Sequence, residues 1–179
     1  MKIRRLTLCA LFSALLTVSA FLRIPLGVVS LTFQLQICLL SAFLLKEKFA
    51  TLSVLLYLGA GFLGLPVFTA GGGLHYFAQP TAGYLLALLP CAYVTGIISR
   101  KKTPTDTKSI YLCLLPGLLL VDVIGSIYLV LVTAFLSQGF DFSPALMISA
   151  FLIPLAKDIL LNIPVSHLGK KLIPLANKH

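Results

Sequence analysis

Long stretches of this chain contain no charge at all, and where its few charges fall constrains the fold more than any other feature. Leu6 to Leu22, Ile24 to Leu45 and Phe49 to Ser99 hold no Asp, Glu, Lys or Arg. Of 179 residues, 59% are apolar and 11% charged, against roughly 45–50% and 25% in a soluble domain. One soluble core of this size cannot bury so much apolar side chain, whereas a bilayer can. A helix needs about 20 residues to cross a hydrocarbon layer ~30 Å thick, so the length accommodates about six crossings with short connections.

The charges that remain are grouped. Lys2, Arg4 and Arg5 open the chain; Lys46 and Lys48 follow; then Arg100, Lys101, Lys102 and Lys108; then Lys170, Lys171 and Lys178. Together they are 12 of the 14 basic residues. They fall in alternate connections, the distribution that the positive-inside rule gives to cytoplasmic segments. Both termini are therefore expected in the cytoplasm, with an even number of spans, in the cytoplasmic (inner) membrane of a bacterium. The net charge of +9 raises nucleic acid as a partner, but no basic face is interleaved with aromatic residues. Membrane topology accounts for the charge, and no nucleic acid is expected. The basic start and first apolar run read as a retained span, because a cleaved leader would leave an odd number of crossings.

The expected architecture is a single all-α polytopic membrane domain, 1–179, with six transmembrane helices at about 5–22, 31–45, 49–63, 81–99, 110–135 and 154–172. Gly64-Leu65-Pro66 and Gly71-Gly72-Gly73 preclude a sustained helix between the third and fourth spans. That connection is too apolar to float in water, so it is expected to fold back as a lid or pocket wall. Pro154 suits a first helical turn, which predicts a short outer helix from Ser143 to Leu152 and a sixth span starting at Pro154. Asp158 would then lie only ~6 Å below the outer end of that span.

Chemistry-bearing residues are few. There is no G-x-x-x-x-G-K-[ST] phosphate loop and no H-E-x-x-H, so any nucleotide-driven step requires another subunit. Cys9, Cys38, Cys91 and Cys113 lie in apolar runs without paired spacing and read as small core residues, not metal ligands. Asp122, Lys157 and Asp158 are the charges inside the spans, and intramembrane charges point to a functional site. Lys157 and Asp158 are adjacent on a helix and point about 100° apart, so they need not pair. Lys157 reads equally as a snorkelling lysine or a ligand contact. Asp122 is left unassigned, with a structural role as its alternative.

Three ordered blocks carry a resemblance. Ile24-Pro25-Leu26-Gly27-Val28-Val29-Ser30-Leu31-Thr32-Phe33-Gln34 is similar to the I-P-L-G-x-V-P-x-T-x-Q stretch of the BioY family, the biotin-binding component of energy-coupling factor (ECF) transporters. The run from Tyr57 to Phe68 resembles its Y-L-x-x-G-x-x-G-L-P-V-F block, and Pro80 to Leu85 its P-T-x-G-Y-L block. Asp158 fits the acidic position of the last span. Leu161 stands where the family has a lysine, Ser30 replaces a proline, and Gln79 stands where a glycine is common.

The resemblance implies an S component: a six-helix subunit that captures biotin outside and releases it to the cytoplasm. It would work with a transmembrane coupling subunit and two cytoplasmic ATPases, without cofactor or enzymatic activity of its own. Within that reading Asp158 accepts from the ureido N–H groups, and Thr32, Gln34, Gln79 or Thr81 supply the remaining polar contacts. Tyr84, Tyr76 and Phe68 wall the rings, and either Lys157 or Arg23 takes the carboxylate or the pocket does without a cation there. Gly71 to Gly73 let the lid close. Ala10 and Ala14 match the family's A-x-x-x-A surface for the coupling subunit, small residues that let helices approach closely. The alternatives are an S component for riboflavin or thiamine, an intramembrane enzyme using Asp122 with Asp158, or a structural assembly subunit.

Overall fold

The computed structural model describes residues 2–26, 29–69, 71–136 and 148–176. Helix dominates them. α1 (Lys2–Phe21) leads into a β-hairpin, β1 (Arg23–Leu26) and β2 (Val29–Thr32), followed by α2 (Gln34–Phe62), a short 3-10 helix (Leu74–Ala78), α3 (Ala82–Lys102) and α4 (Thr107–Leu136). A π-helical turn (Ile148–Leu152) then runs directly into α5 (Ile153–Ala176). α2 packs against α1, α3 and α5, and α4 closes the bundle between α3 and α5.

α2 is two antiparallel arms. Gln34 and Tyr57 would lie ~34 Å apart on a straight helix, yet the Gln34 amide donates to the Tyr57 hydroxyl. The reversal occurs at Lys46, whose φ of 62° and ψ of −177° leave the helical region. Side chains cap this turn: Lys46 Nζ donates to Ser99 Oγ at 2.9 Å, and Arg100 pairs with the buried Glu47 at 3.0 Å. Counting the arms separately gives six helical rods among the described residues.

All the described basic clusters meet at the end of the bundle that holds Lys46. Arg5 stacks over Phe49, Lys46 and Arg100 face one another's helices, and Gly169, beside Lys170 and Lys171, approaches Phe43 and Ile110. Among the described residues, three helical stretches are long and apolar enough to cross a membrane: Ile3–Phe21, Ala82–Lys102 and Thr107–Phe135. α2 is interrupted by Lys46-Glu47-Lys48, and α5 carries Lys157, Asp158, Lys170 and Lys171.

One local expectation needs correction. Residues 29–32, placed partly in the second span, form β2 instead, and helix begins at Gln34. β-branched residues and Pro25 favour extended backbone here, and antiparallel pairing satisfies the peptide groups that leave the helix. α5 begins at Ile153, so Pro154 occupies its first turn as expected. The π turn 148–152 runs directly into it, so ten helical residues, 148–157, precede Asp158. The rest of the expected outer helix, 143–147, and the loop after α4 lie outside the described residues.

The four cysteines are buried and unbridged, in keeping with a packing role. The core is a continuous apolar cluster drawn mainly from α2, α3 and α4, including Leu39, Tyr57, Leu88 and Leu118.

Candidate functional site

At the end opposite the basic clusters the helices diverge around a cavity of about 200 Å³. Its polar rim comes from five elements: Arg23 from β1, Thr32 from β2, Gln34 from α2, Gln79, Thr81 and Tyr84 around the start of α3, and Lys157 and Asp158 from α5. Leu35, Leu85, Leu88 and Val121 supply the apolar floor. A few fixed polar groups on apolar walls suit a small, partly apolar ligand.

Asp158 anchors the arrangement. The residue is 3% exposed, and its Oδ1 accepts from Lys157 Nζ at 2.7 Å and from Gln36 Nε2 at 2.6 Å. Lys157 Nζ also donates to the Thr32 carbonyl at 2.9 Å, which ties α5 to the hairpin. Lys157 therefore pairs with Asp158 and does not snorkel outward. Its flexible stem curls back because a buried carboxylate without a counter-charge costs several kcal/mol.

The polar chain continues into the lid. Thr32 Oγ1 donates to Gln34 Oε1 at 3.2 Å, Gln34 holds the Tyr57 hydroxyl, and that hydroxyl donates to the Val67 carbonyl at 3.3 Å. Arg23 Nη1 donates to the Thr69 carbonyl at 2.8 Å, joining β1 to the lid at the cavity mouth. Gly71 and Gly73 have φ of +111° and +101°, conformations that a side chain strains, so the lid backbone turns where only glycine is comfortable.

Aromatic groups divide between the cavity and the lid. Tyr76 and Tyr84 line the cavity. The Tyr84 ring lies on Gly125 of α4, where an added Cβ would stand 2.2 Å from the ring; glycine there fixes how far the ring withdraws from the cavity. Phe68 is the exception to the expected set. Fully buried, it packs edge-on against Tyr57 and Phe62 and 4.8 Å from Tyr76, and it does not line the cavity. The lid turns it inward, where burial of the ring anchors the loop.

The other nine expected residues, Arg23, Thr32, Gln34, Tyr76, Gln79, Thr81, Tyr84, Lys157 and Asp158, all line the one cavity. Gln36 went unrecognised because an amide in an apolar run gives no periodic signal. Asp122 is fully buried, neither carboxyl oxygen has a hydrogen-bond partner, and it does not line the cavity. The carboxylate pair required by an intramembrane enzyme is therefore not presented to this cavity. Ala10 and Ala14 are exposed one turn apart on α1. No metal-binding group of three His, Cys, Asp or Glu occurs among the described residues.

The model of the BioY family matches residues 1–178. This chain belongs to the BioY family. It is 40% identical over 125 residues to a probable biotin transporter BioY of Lysinibacillus sphaericus, covering 69% of this chain and 63% of that protein. With the biotin transporter BioY of Thermotoga maritima it shares 41% identity over 100 residues, 55% of this chain and 59% of that one. The chain thus spans about three-fifths of the length of these two relatives. A BioY of Rhizobium etli matches at 31% over 181 residues, 95% of this chain and 93% of the relative.

The BioY fold extends to a crystal structure of the S-component for biotin from an ECF-type ABC transporter. It superposes with a TM-score of 0.83 at 28% identity, covering 96% of this chain and 91% of that one. In this BioY-family chain Lys157 stands four residues before Leu161. Lys157 lies on the same helical face and reaches the acid directly.

Proposed function

We propose that this chain is the biotin-capturing S component of an ECF transporter. It crosses the bacterial cytoplasmic membrane six times with both termini inside, the cavity opening outward and the basic clusters facing the cytoplasm. A transmembrane coupling subunit, docked on Ala10 and Ala14, and two cytoplasmic ATPases drive release inward.

The observation that carries the reading is the state of the Asp158 carboxylate. Both of its hydrogen-bond partners end on Oδ1, which leaves Oδ2 for a donor entering the cavity. A cyclic urea offers such an N–H, and a charge-assisted bond of this kind is worth ~1.5–3 kcal/mol. Leu85, Leu88 and Tyr84 meet the apolar bicycle, while Thr32, Gln34, Gln79 and Thr81 present further polar groups. Arg23 at the mouth suits the carboxylate tail, and Lys157 neutralises Asp158.

Calorimetry of biotin binding to the purified chain tests this reading. Asp158→Asn should weaken binding by about 10–150-fold, the equivalent of one charge-assisted hydrogen bond. Unchanged affinity in that variant removes Asp158 from the pocket. A panel with riboflavin and thiamine tests the cargo, and tighter binding of either overturns biotin.

A further inference from the structure

Gln36 does not line the cavity, yet it governs the group that the cavity presents. It is 5% exposed, in an arm of α2 that is otherwise apolar from Leu35 to Leu45 apart from Ser41. A leucine would fill this place without polar cost. The amide instead donates to Asp158 Oδ1 at 2.6 Å while its own Oε1 is buried without a partner. An unsatisfied buried acceptor costs ~1–3 kcal/mol, so the single bond to Asp158 has to repay that cost.

The geometry separates this glutamine from its neighbour. Two helical positions apart, Gln34 and Gln36 point about 200° away from each other. Gln34 serves the hairpin and the lid through Thr32 and Tyr57. Gln36 crosses to α5, so Asp158 is held from two elements: by Lys157 on its own helix and by Gln36 on α2. A lysine stem has many rotamers and would follow the carboxylate wherever it turned. The planar amide on a packed helix would not. Flipping it would set Oε1 against a carboxylate oxygen, so charge also fixes which way round it sits.

We propose that Gln36 is a positioning residue that holds Asp158 by Oδ1 and thereby turns Oδ2 toward the ring N–H of the ligand. The proposal rests on the reading that Asp158 meets the ligand. It adds that affinity depends on carboxylate orientation, set from outside the cavity, as well as on charge. The substrate class it favours is a neutral ring bearing an N–H donor.

A double-variant cycle on the full chain in detergent tests it, with Gln36→Met chosen to keep the volume and Gln36→Leu as a second apolar replacement. Biotin affinity, followed by calorimetry to millimolar ligand, should fall about tenfold in Gln36→Met when Asp158 is present. The same replacement should have little effect in an Asp158→Ala background, since no acceptor remains to orient. Equal losses in both backgrounds, or full affinity in Gln36→Met, overturn the proposal.

A readout independent of ligand is the infrared carboxylate band of Asp158, identified by subtraction of the Asp158→Asn spectrum. That band should shift in Gln36→Met and Gln36→Leu, and an unmoved band overturns the proposal. Loss of biotin binding in Asp158→Asn with none in Gln36→Met would sink this inference alone. Unchanged binding in Asp158→Asn would sink the site itself.

Discussion

Replacing Lys157 by Met should cost stability that a second replacement restores. Lys157 Nζ lies 2.7 Å from Asp158 Oδ1, with the side chains 18% and 4% exposed, so the pair is largely dry. Removing one partner of a buried pair costs ~3–5 kcal/mol, because the other charge is left unpaired. The lower figure applies here, since Gln36 still donates to the carboxylate and the cavity reaches it. For a chain of this length each kcal/mol moves the unfolding midpoint by ~2–4 °C, giving a fall of about 6–12 °C. In Lys157→Met/Asp158→Asn the neutral amide needs no counter-charge and still accepts from Gln36, so most of the loss should return. Biotin affinity should not return, because the charged acceptor is gone. The chain has no tryptophan, but its four cysteines are buried and free, so a thiol-reactive fluorophore reports unfolding in detergent. If Lys157→Met unfolds within about 2 °C of the parent, less than one kcal/mol, or if the double variant is as labile as the single, the pair is not a buried one.

Arg23→Ala should weaken biotin about tenfold and leave biotin methyl ester unaffected, because only the free tail presents a carboxylate to the guanidinium; equal losses for both ligands in calorimetry would dismiss that role. Gly125→Leu should push the Tyr84 ring into the cavity, since even a Cβ there stands 2.2 Å from it. Saturable biotin binding should disappear from protein that still migrates as a monodisperse species in gel filtration, and retained affinity would refute the placement of the ring. Ala10→Leu with Ala14→Leu should prevent co-purification with a coupling subunit while leaving biotin affinity intact, because both residues are exposed on α1 and neither lines the cavity. Persistent co-purification would place the docking surface elsewhere.

The sequence alone determined the solvent and the outline. Uncharged runs separated by basic clusters require a bilayer, and the same clusters assemble at one end of the bundle because each closes an apolar run. Nine of the ten expected site residues share a cavity, and seven of them, from Arg23 to Tyr84, sit in segments that link or begin helices.

Tertiary structure decided which groups touch. Phe68 belongs beneath the lid and not in the cavity wall, a choice made by Tyr57, Phe62 and Tyr76. Adjacent positions on a helix left pairing of Lys157 with Asp158 open, and burial of the acid drew the lysine to it. Gln36 meets Asp158 across 122 positions of chain, and nothing in the local pattern of either residue encodes that distance. Hydropathy and periodicity report how a segment partitions between lipid and core. Hydrogen-bond partners inside the core depend on which helices become neighbours, and that is a property of the packed bundle.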